Sequence, residues 1–366
     1  MVKLGDVINV HYGKALKADQ RVSNGSVHVF GSSGIVGNHD KTLCSYPTII
    51  IGRKGSVGAV TWAPDGGWII DTAYFIEIKD NNKLDLRYLF HTLSGIDLTK
   101  KTITTSIPGL NRDDLYDTLI KLPSFEEQKR IADILDKADG ICQKREQAIK
   151  LADDFLRATF LEMFGDPVEN PKGWDVKPLA DQIVHANNGI SRRRKEDSNE
   201  GDIVLRLQDV HYSGIAFGKE LNRIKLVDKE KQIARVEHDD LLFIRVNGNP
   251  NYVGRTAVFK SYIEPVYHND HLIRIKLGGK YNSDFLCYLI NSLASRQIIS
   301  KQIKTSAGQH TISQDGIVKL EFYRPPIEMQ NKFAMIKNKV ESSLYEKDEH
   351  EKFFLSIFNK IFDVTN

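Results

Sequence analysis

The feature that most constrains this chain of 366 residues is an internal repeat. "TSIPGLNRDDLYDTLIKLPSFEEQKRIADIL" from Thr105 aligns with "TSAGQHTISQDGIVKLEFYRPPIEMQNKFAMI" from Thr305. Both run through Thr-Ser, a short loop, an apolar strand, proline, an acidic residue and glutamine into a helix. Pro123 pairs with Pro325 and Gln128 with Gln330, an offset of 202. Upstream, "IIDTAYFIEI" from Ile69 matches "VYHNDHLIRI" from Val266, and "RYLFHTL" from Arg87 matches "DFLCYLI" from Asp284, both at an offset of 197. Further upstream "IIIGRKGSVGAV" from Ile49 faces "LLFIRVNGNPNYVGRTAVF" from Leu241. A duplicated unit has to fold twice in the same way, so the order is globular domain, helix, globular domain, helix.

The helices carry the clearest periodicity. From Glu126 to Phe164 the apolar positions are Ile131, Ile134, Leu135, Ala138, Ile141, Cys142, Ile149, Ala152, Phe155, Leu156, Thr159 and Met163, a 3-4 spacing broken at Arg145. The second run, from Glu328, passes through Phe333, Ile336, Val340, Leu344, Phe354, Ile357, Phe358 and Ile361, with Lys347 as its polar break. Each starts just after proline, with Glu and Gln in the first turn to suit the helix dipole. At 1.5 Å per residue such helices reach roughly 50 to 60 Å, too long to lie inside a domain of ordinary size. Near the helix ends Phe160 and Phe164 pair best with Phe358 and Phe362, an offset of 198, so the second helix is four residues shorter.

These boundaries divide the chain into 1–122, 123–166, 167–326 and 327–366. The two globular segments carry 14 Lys+Arg against 12 Asp+Glu and 24 against 19, whereas the helical segments carry 7 against 10 and 6 against 7. Positive charge therefore lies in the domains, although the whole chain is only +3. Cys44, Cys142 and Cys287 form no C-x-x-C pair, which suits a reducing cytoplasm. "MVKLGDVINV" has no basic head followed by an apolar run, and no stretch approaches the ~18 apolar residues of a membrane span. The expectation is a cytoplasmic protein with no membrane partner. Asn24-Gly25-Ser26 matches a glycosylation sequon but reads more simply as a turn.

The glycines of "GRKGSVG" invite comparison with a nucleotide-binding loop. A P-loop needs G-x-x-x-x-G-K-[ST] opening a helix, and here the following "AVTW" is β-branched and aromatic. The segment reads as strand, glycine turn, strand, with Arg53, Lys54 and Ser56 exposed on the turn to meet a polyanion. In the second copy Arg245 stands beside Arg53, and Asn247, Asn249 and Asn251 follow it. Arg can bond guanine O6 and N7 as a fork, and Asn can do the same to adenine N6 and N7. Arg192, Arg193, Arg194 and Lys195 form a basic row suited to phosphate contacts. Asn111 of "TSIPGLN", Gln309 and His310 of "TSAGQH", and Ser32 and Ser33 of "GSSG" complete the polar loop candidates.

Catalytic constellations are missing. A DNA adenine methyltransferase needs D/N-P-P-Y/F, and the only Pro-Pro here lies in "RPPI" before the second helix. His268, Asp270 and His271 have a spacing that could hold a metal, but no further imidazole or Cys pair completes a set, so they read as polar loop residues with no metal. No G-x-S-x-G nucleophile motif is present.

The layout, with "FGSSGIVG", "IIIGRKGSVGAV", "TSIPGLNRDDL", "PSFEEQKRIADILDKAD" and "LRATFLEMFGDP", resembles the specificity subunits of type I restriction-modification enzymes along essentially the whole chain. The resemblance implies a mixed α/β fold: two globular target recognition domains in a pseudo-two-fold repeat, separated by two long helices in an antiparallel coiled coil. It implies a non-catalytic, sequence-specific DNA-binding subunit whose domains each read half of a split double-stranded target. Its partners are then two methyltransferase subunits and, for cleavage, restriction subunits. S-adenosylmethionine and ATP with magnesium are expected on those partners, and no cofactor in this chain. The competing readings are an adaptor coiled-coil protein with non-specific basic domains, and a self-contained nuclease or methyltransferase with degenerate motifs.

Overall fold

A computed structural model describes residues 1–101, 109–191, 200–211, 214–218, 220–306 and 308–345. The chain divides into two compact units, Met1–Gln147 with Lys347–Asn366, and Ala148–Glu346.

Each unit is built on the same four-stranded antiparallel sheet. In the first, four strands run in the order Ile8–Tyr12, Ala73–Ile78, Thr48–Gly52 and Val60–Ala63, all antiparallel. In the second, the order is Ile183–Asn188, Leu272–Leu277, Leu241–Ile244 and Thr256–Val258, again all antiparallel. A three-stranded sheet accompanies each. Val27–Gly31 pairs with Gly34–His39 and, in parallel, with Trp68–Ile69; Asp202–Leu205 pairs with Arg223–Ile224 and, in parallel, with Val266–His268. The inner strands are buried on both faces, which is why they read as unbroken apolar runs. Ile49 and Ile51 enter one core cluster and Ile50 another; Leu241 and Phe243 divide from Leu242 and Ile244 in the same way.

Backbone pairing shifts one part of the repeat. Arg53 N bonds Thr72 O and Arg245 N bonds His271 O, so this segment matches at an offset of 199 rather than the 197 that side-chain similarity suggests. The helices that follow, Leu86–Ser94 and Ser283–Asn291, do match at 197. The link between strand and helix is two residues shorter in the second copy, and the slip is absorbed there.

Those helices are tied to the long ones by one device used twice. Asp85 caps Leu86–Ser94 by accepting from Tyr88 N at 2.8 Å, and Asn282 caps Ser283–Asn291 by accepting from Asp284 N at 2.9 Å. Gln128 accepts from Asp85 N (2.9 Å) and donates to Lys83 O and Pro123 O (both 2.9 Å). Gln330 accepts from Asn282 N (2.9 Å) and donates to Lys280 O (3.2 Å) and Pro325 O (2.8 Å). Both glutamines are 0% exposed. The repeated Gln is thus a buried bracket between long helix and domain.

The first long helix spans Phe125–Phe164, 40 residues, and the second is described over Ile327–Tyr345. Its expected continuation through Phe354, Ile357, Phe358, Ile361 and Phe362 lies outside the described residues. The C-terminal end of the first helix meets the N-terminal end of the second, as antiparallel helices must: Phe160 and Phe164 lie 5.3 and 5.8 Å from Phe333, ring centre to ring centre. The expected seam is corrected in three places: Ile141, Ile149 and Phe155 are 43%, 39% and 54% exposed, while Leu156, about 100° round the helix from Phe155, is buried. Among the described residues no helix is long and apolar enough to cross a membrane.

Candidate nucleic-acid interface

In the first unit the strand Thr48–Gly52 turns and returns as Val60–Ala63. Gly52 N donates to Ala59 O and Gly58 N to Gly52 O, both at 2.8 Å. A Cβ on Gly52 would lie 2.0 Å from Ser56 O, and Gly55 and Gly58 have φ +79° and +77°, so all three glycines are demanded by the backbone itself. The turn is a clasp. Arg53 donates through its backbone N to Thr72 O (2.9 Å), accepts from Leu110 N (3.0 Å), and points Nη1 at Asp71 O (3.5 Å). Lys54 bridges to Gly109, which brings Asn111, exposed at the cap of the helix Arg112–Tyr116, beside the turn. Ser32 and Ser33 form the hairpin tip after Gly31, and Ser32 Oγ would sit 3.4 Å from a Cβ on Gly55. Ser32, Ser33, Arg53, Lys54, Ser56 and Asn111 therefore gather at one end of this unit.

Two residues that the sequence reading passed over join them. Tyr12, 46% exposed at the end of its strand, has the Arg53 guanidinium 5.0 Å and the Arg112 guanidinium 5.3 Å from its ring centre. Arg53 also lies 5.7 Å from Tyr74, and Arg112 5.9 Å from Tyr116. No local pattern marks this set, because strand, turn and helix contribute one piece each.

The second unit repeats the clasp with different furniture. Arg245 N donates to His271 O (2.8 Å), Arg245 O accepts from Ile312 N (2.9 Å), and Arg245 Nη1 donates to Asp270 O (3.0 Å). Gly254 closes the turn on Ile244 O at 2.8 Å with φ +79°, matching Gly58. Between them the turn is four residues longer. Asn247 accepts from Asn249 N (2.9 Å) and Asn249 from Asn251 N (3.0 Å), so two asparagine oxygens shape the loop that carries them. Arg296 donates to Val253 O and Pro250 O, both at 2.9 Å, and fixes its far side. Val246–Asn247 adds to the hairpin Lys304–Ser306 and Gln309–Thr311, where His310 Nδ1 and Thr305 Oγ1 are 2.8 Å apart. Arg245, Asn247, Asn249, Asn251, Gln309 and His310 are thereby brought to one loop cluster. The basic row Arg192, Arg193, Arg194 and Lys195 lies outside the described residues.

The His268, Asp270, His271 set is not a polar loop throughout. His268 ends a strand, is 0% exposed, and has Nδ1 2.8 Å from Ala234 O and Nε2 3.4 Å from Asn187 O. Burial pushes its pKa down to about 4, so it is neutral at pH 7 and its Nδ1–H donates to Ala234. It is a core residue, and among the described residues no cluster of three His, Cys, Asp or Glu side chains could hold a metal.

Comparison with known proteins agrees with this architecture. Residues 1–151 match the family model for the type I restriction modification DNA specificity domain. The specificity subunit of the type I restriction enzyme StySPI from Salmonella potsdam is 34% identical over 245 residues, 64% of this chain and 52% of that protein. That of EcoKI from Escherichia coli K12 is 26% identical over 246 residues, with the same coverage of 64% and 52%. The chain spans about half the length of these curated relatives. The crystal structure of the type I restriction-modification S subunit from M. genitalium shares the fold over 98% of this chain and 94% of its own, with a TM-score of 0.69 at 16% identity. Along residues 1–151 the chain matches the type I restriction modification DNA specificity domain, and in its doubled framework and its 40-residue helix it is similar to the specificity subunits of type I restriction enzymes.

Proposed function

We propose that this chain is the sequence-specific DNA-binding subunit of a type I restriction-modification system, each unit reading one half of a bipartite duplex target. The observation that carries the reading is one framework used twice under different loops: Arg53 and Arg245 hold the same station, while the exposed side chains around them differ. Two equivalent platforms with unlike surfaces suit two unlike half-sites. Both domains are also net basic, as a duplex partner requires. The helical pair sets the spacer and, through its pseudo-symmetry, seats two copies of a methyltransferase subunit; restriction subunits join for cleavage. S-adenosylmethionine and ATP with magnesium belong to those partners, and this chain, working in the cytoplasm, is not itself an enzyme.

Selection of bound duplexes from a random pool, with a co-expressed methyltransferase subunit present, tests the reading. One split motif with a fixed spacer is expected. Enrichment of no motif indicates an adaptor, and methyl transfer by the purified chain alone indicates an enzyme. Inserting four helix-forming residues beside Gln147 should keep both half-sites and lengthen the spacer by about one or two base pairs, since four residues add about 6 Å of helix. An unchanged spacer in a binding-competent variant removes the spacer role.

A further inference from the structure

The aromatic and cationic side chains around the first turn form an alternating ladder: Tyr74, Arg53, Tyr12, Arg112, Tyr116. Its outer rungs are pinned. Tyr74 donates its hydroxyl to Leu110 O at 2.9 Å, and Tyr116 Oη accepts from Val10 N at 3.0 Å. Its middle rung, Tyr12, is open to solvent, and so is Arg112. Among the described residues neither guanidinium has a carboxylate within ion-pair distance. Two cations are thus held around one ring, their repulsion offset by ring quadrupoles and, for Arg53, by a carbonyl, an arrangement that an anion placed between them would complete. One Nη of Arg53 already faces Asp71 O, which takes part of the fork that bidentate guanine reading needs.

The second unit does not repeat it. Tracing the matched strands and helices, Tyr12 becomes Asn188, Tyr74 becomes Ile273, Arg112 becomes Gln314 and Tyr116 becomes Val318; only Arg53 survives, as Arg245. There the neutral Gln314 amide lies 3.2 Å from Ala186 O and 3.1 Å from Asn188 N, where the first unit has a cation on a ring. Tyr252 and Arg255 do stack at 4.1 Å, but Arg255 matches Ala59 and donates its Nε to Asn251 O at 3.0 Å to hold its own loop.

We propose that Tyr12, Arg53 and Arg112 form a phosphodiester-binding site that anchors one DNA strand on the first unit, with no counterpart at the matching positions of the second. This rests on the DNA-binding reading above. The ladder supplies sequence-independent affinity, and reading the first half-site falls to the neighbouring loops.

The test uses the full chain and measures affinity for the selected duplex and for a random duplex of equal length, across a range of salt. Arg112→Gln, which installs the second unit's residue, should weaken both about tenfold near 0.1 M salt and lower the slope of log K against log salt by about one. Tyr12→Asn should weaken both in the same sense. Arg112→Lys should keep the slope, separating charge from local structure. Gln314→Ala should leave the slope unchanged. An unchanged slope in Arg112→Gln overturns the proposal, as does relaxed preference at one base position with random-duplex affinity intact. If the wild type enriches no motif, the specificity reading fails, and the salt slope on random duplex still decides the ladder.

Discussion

The two copies agree where they are buried and part where they meet solvent. Gln128 and Gln330 make the same three bonds, Arg53 and Arg245 clasp the same backbone, and Gly58 and Gly254 share a left-handed φ near +78°. Yet the turn grows by four residues, and the tyrosine ladder disappears. Even the joint to the long helix changes its chemistry while keeping its place. In the first unit the aliphatic Ile131, Ala132 and Leu135 pack on a core that includes Tyr74 and Tyr88; in the second the rings of Phe160, Phe164 and Phe333 interlock with Phe285. Arg87 donates to Asp136 at 2.9 Å in the first, and at the matching positions Asp284 faces Asn338 at 3.4 Å, with Lys260 at 2.6 Å, in the second. The polarity is reversed. Buried geometry is restrictive because an orphaned polar atom or a void costs stability, whereas an exposed loop is free to change with its target.

Substitutions at matched positions can break this comparison. Phe333→Ala removes a ring from the aromatic joint and should cost about 4 kcal/mol, against about 3 kcal/mol for Ile131→Ala at the matching place. Chemical denaturation with a probe in each unit would measure both, and a larger loss at Ile131 would contradict the packing described. Gln128→Ala and Gln330→Ala each strand a buried N–H and two carbonyls, for about 3 kcal/mol apiece. Near-equal losses are expected, and a difference above about 1 kcal/mol would show that the bracket is not equivalent in the two copies. Arg53→Ala and Arg245→Ala should each weaken DNA binding by about 1 to 3 kcal/mol, on the selected duplex. Unchanged affinity in both would remove the turns from the interface.

The smallest effect concerns pH. Burial raises the Asp284 pKa, but Lys260 and Lys337 outweigh it and hold the carboxyl below its ordinary range. Burial likewise raises Asp136, and Arg87 and His91 outweigh it. A depressed carboxylate contributes stability above its unfolded pKa of about 3.9 and loses it as pH falls through the folded value. Thermal melting below about pH 4 should therefore fall less steeply in Asp284→Asn and Asp136→Asn than in the wild type, with the larger change at Asp284, which is the more buried of the two. Parallel curves for wild type and variants would show that neither pair is formed.

What could be read along the chain was whatever depends on near neighbours. Heptad spacing shows itself over a few turns, so the first long helix, which starts at Phe125, and the described part of the second, Ile327–Tyr345, were legible. The turn at Gly52–Gly58 was legible because left-handed φ and close backbone approach leave glycine almost the only choice. The repeat exposed the matched stations of Arg53 and Arg245. Other features required distant segments to meet. Tyr12 and Arg112 are a hundred residues apart, and nothing near either of them marks the other as its neighbour. His268 read as a polar loop residue beside Asp270 and His271, but the carbonyls of Ala234 and Asn187 enclose it in the core. The two-residue slip between offsets 197 and 199 was likewise settled by backbone pairing, since a strand's register depends on hydrogen bonds to its partner and not on its own side chains alone.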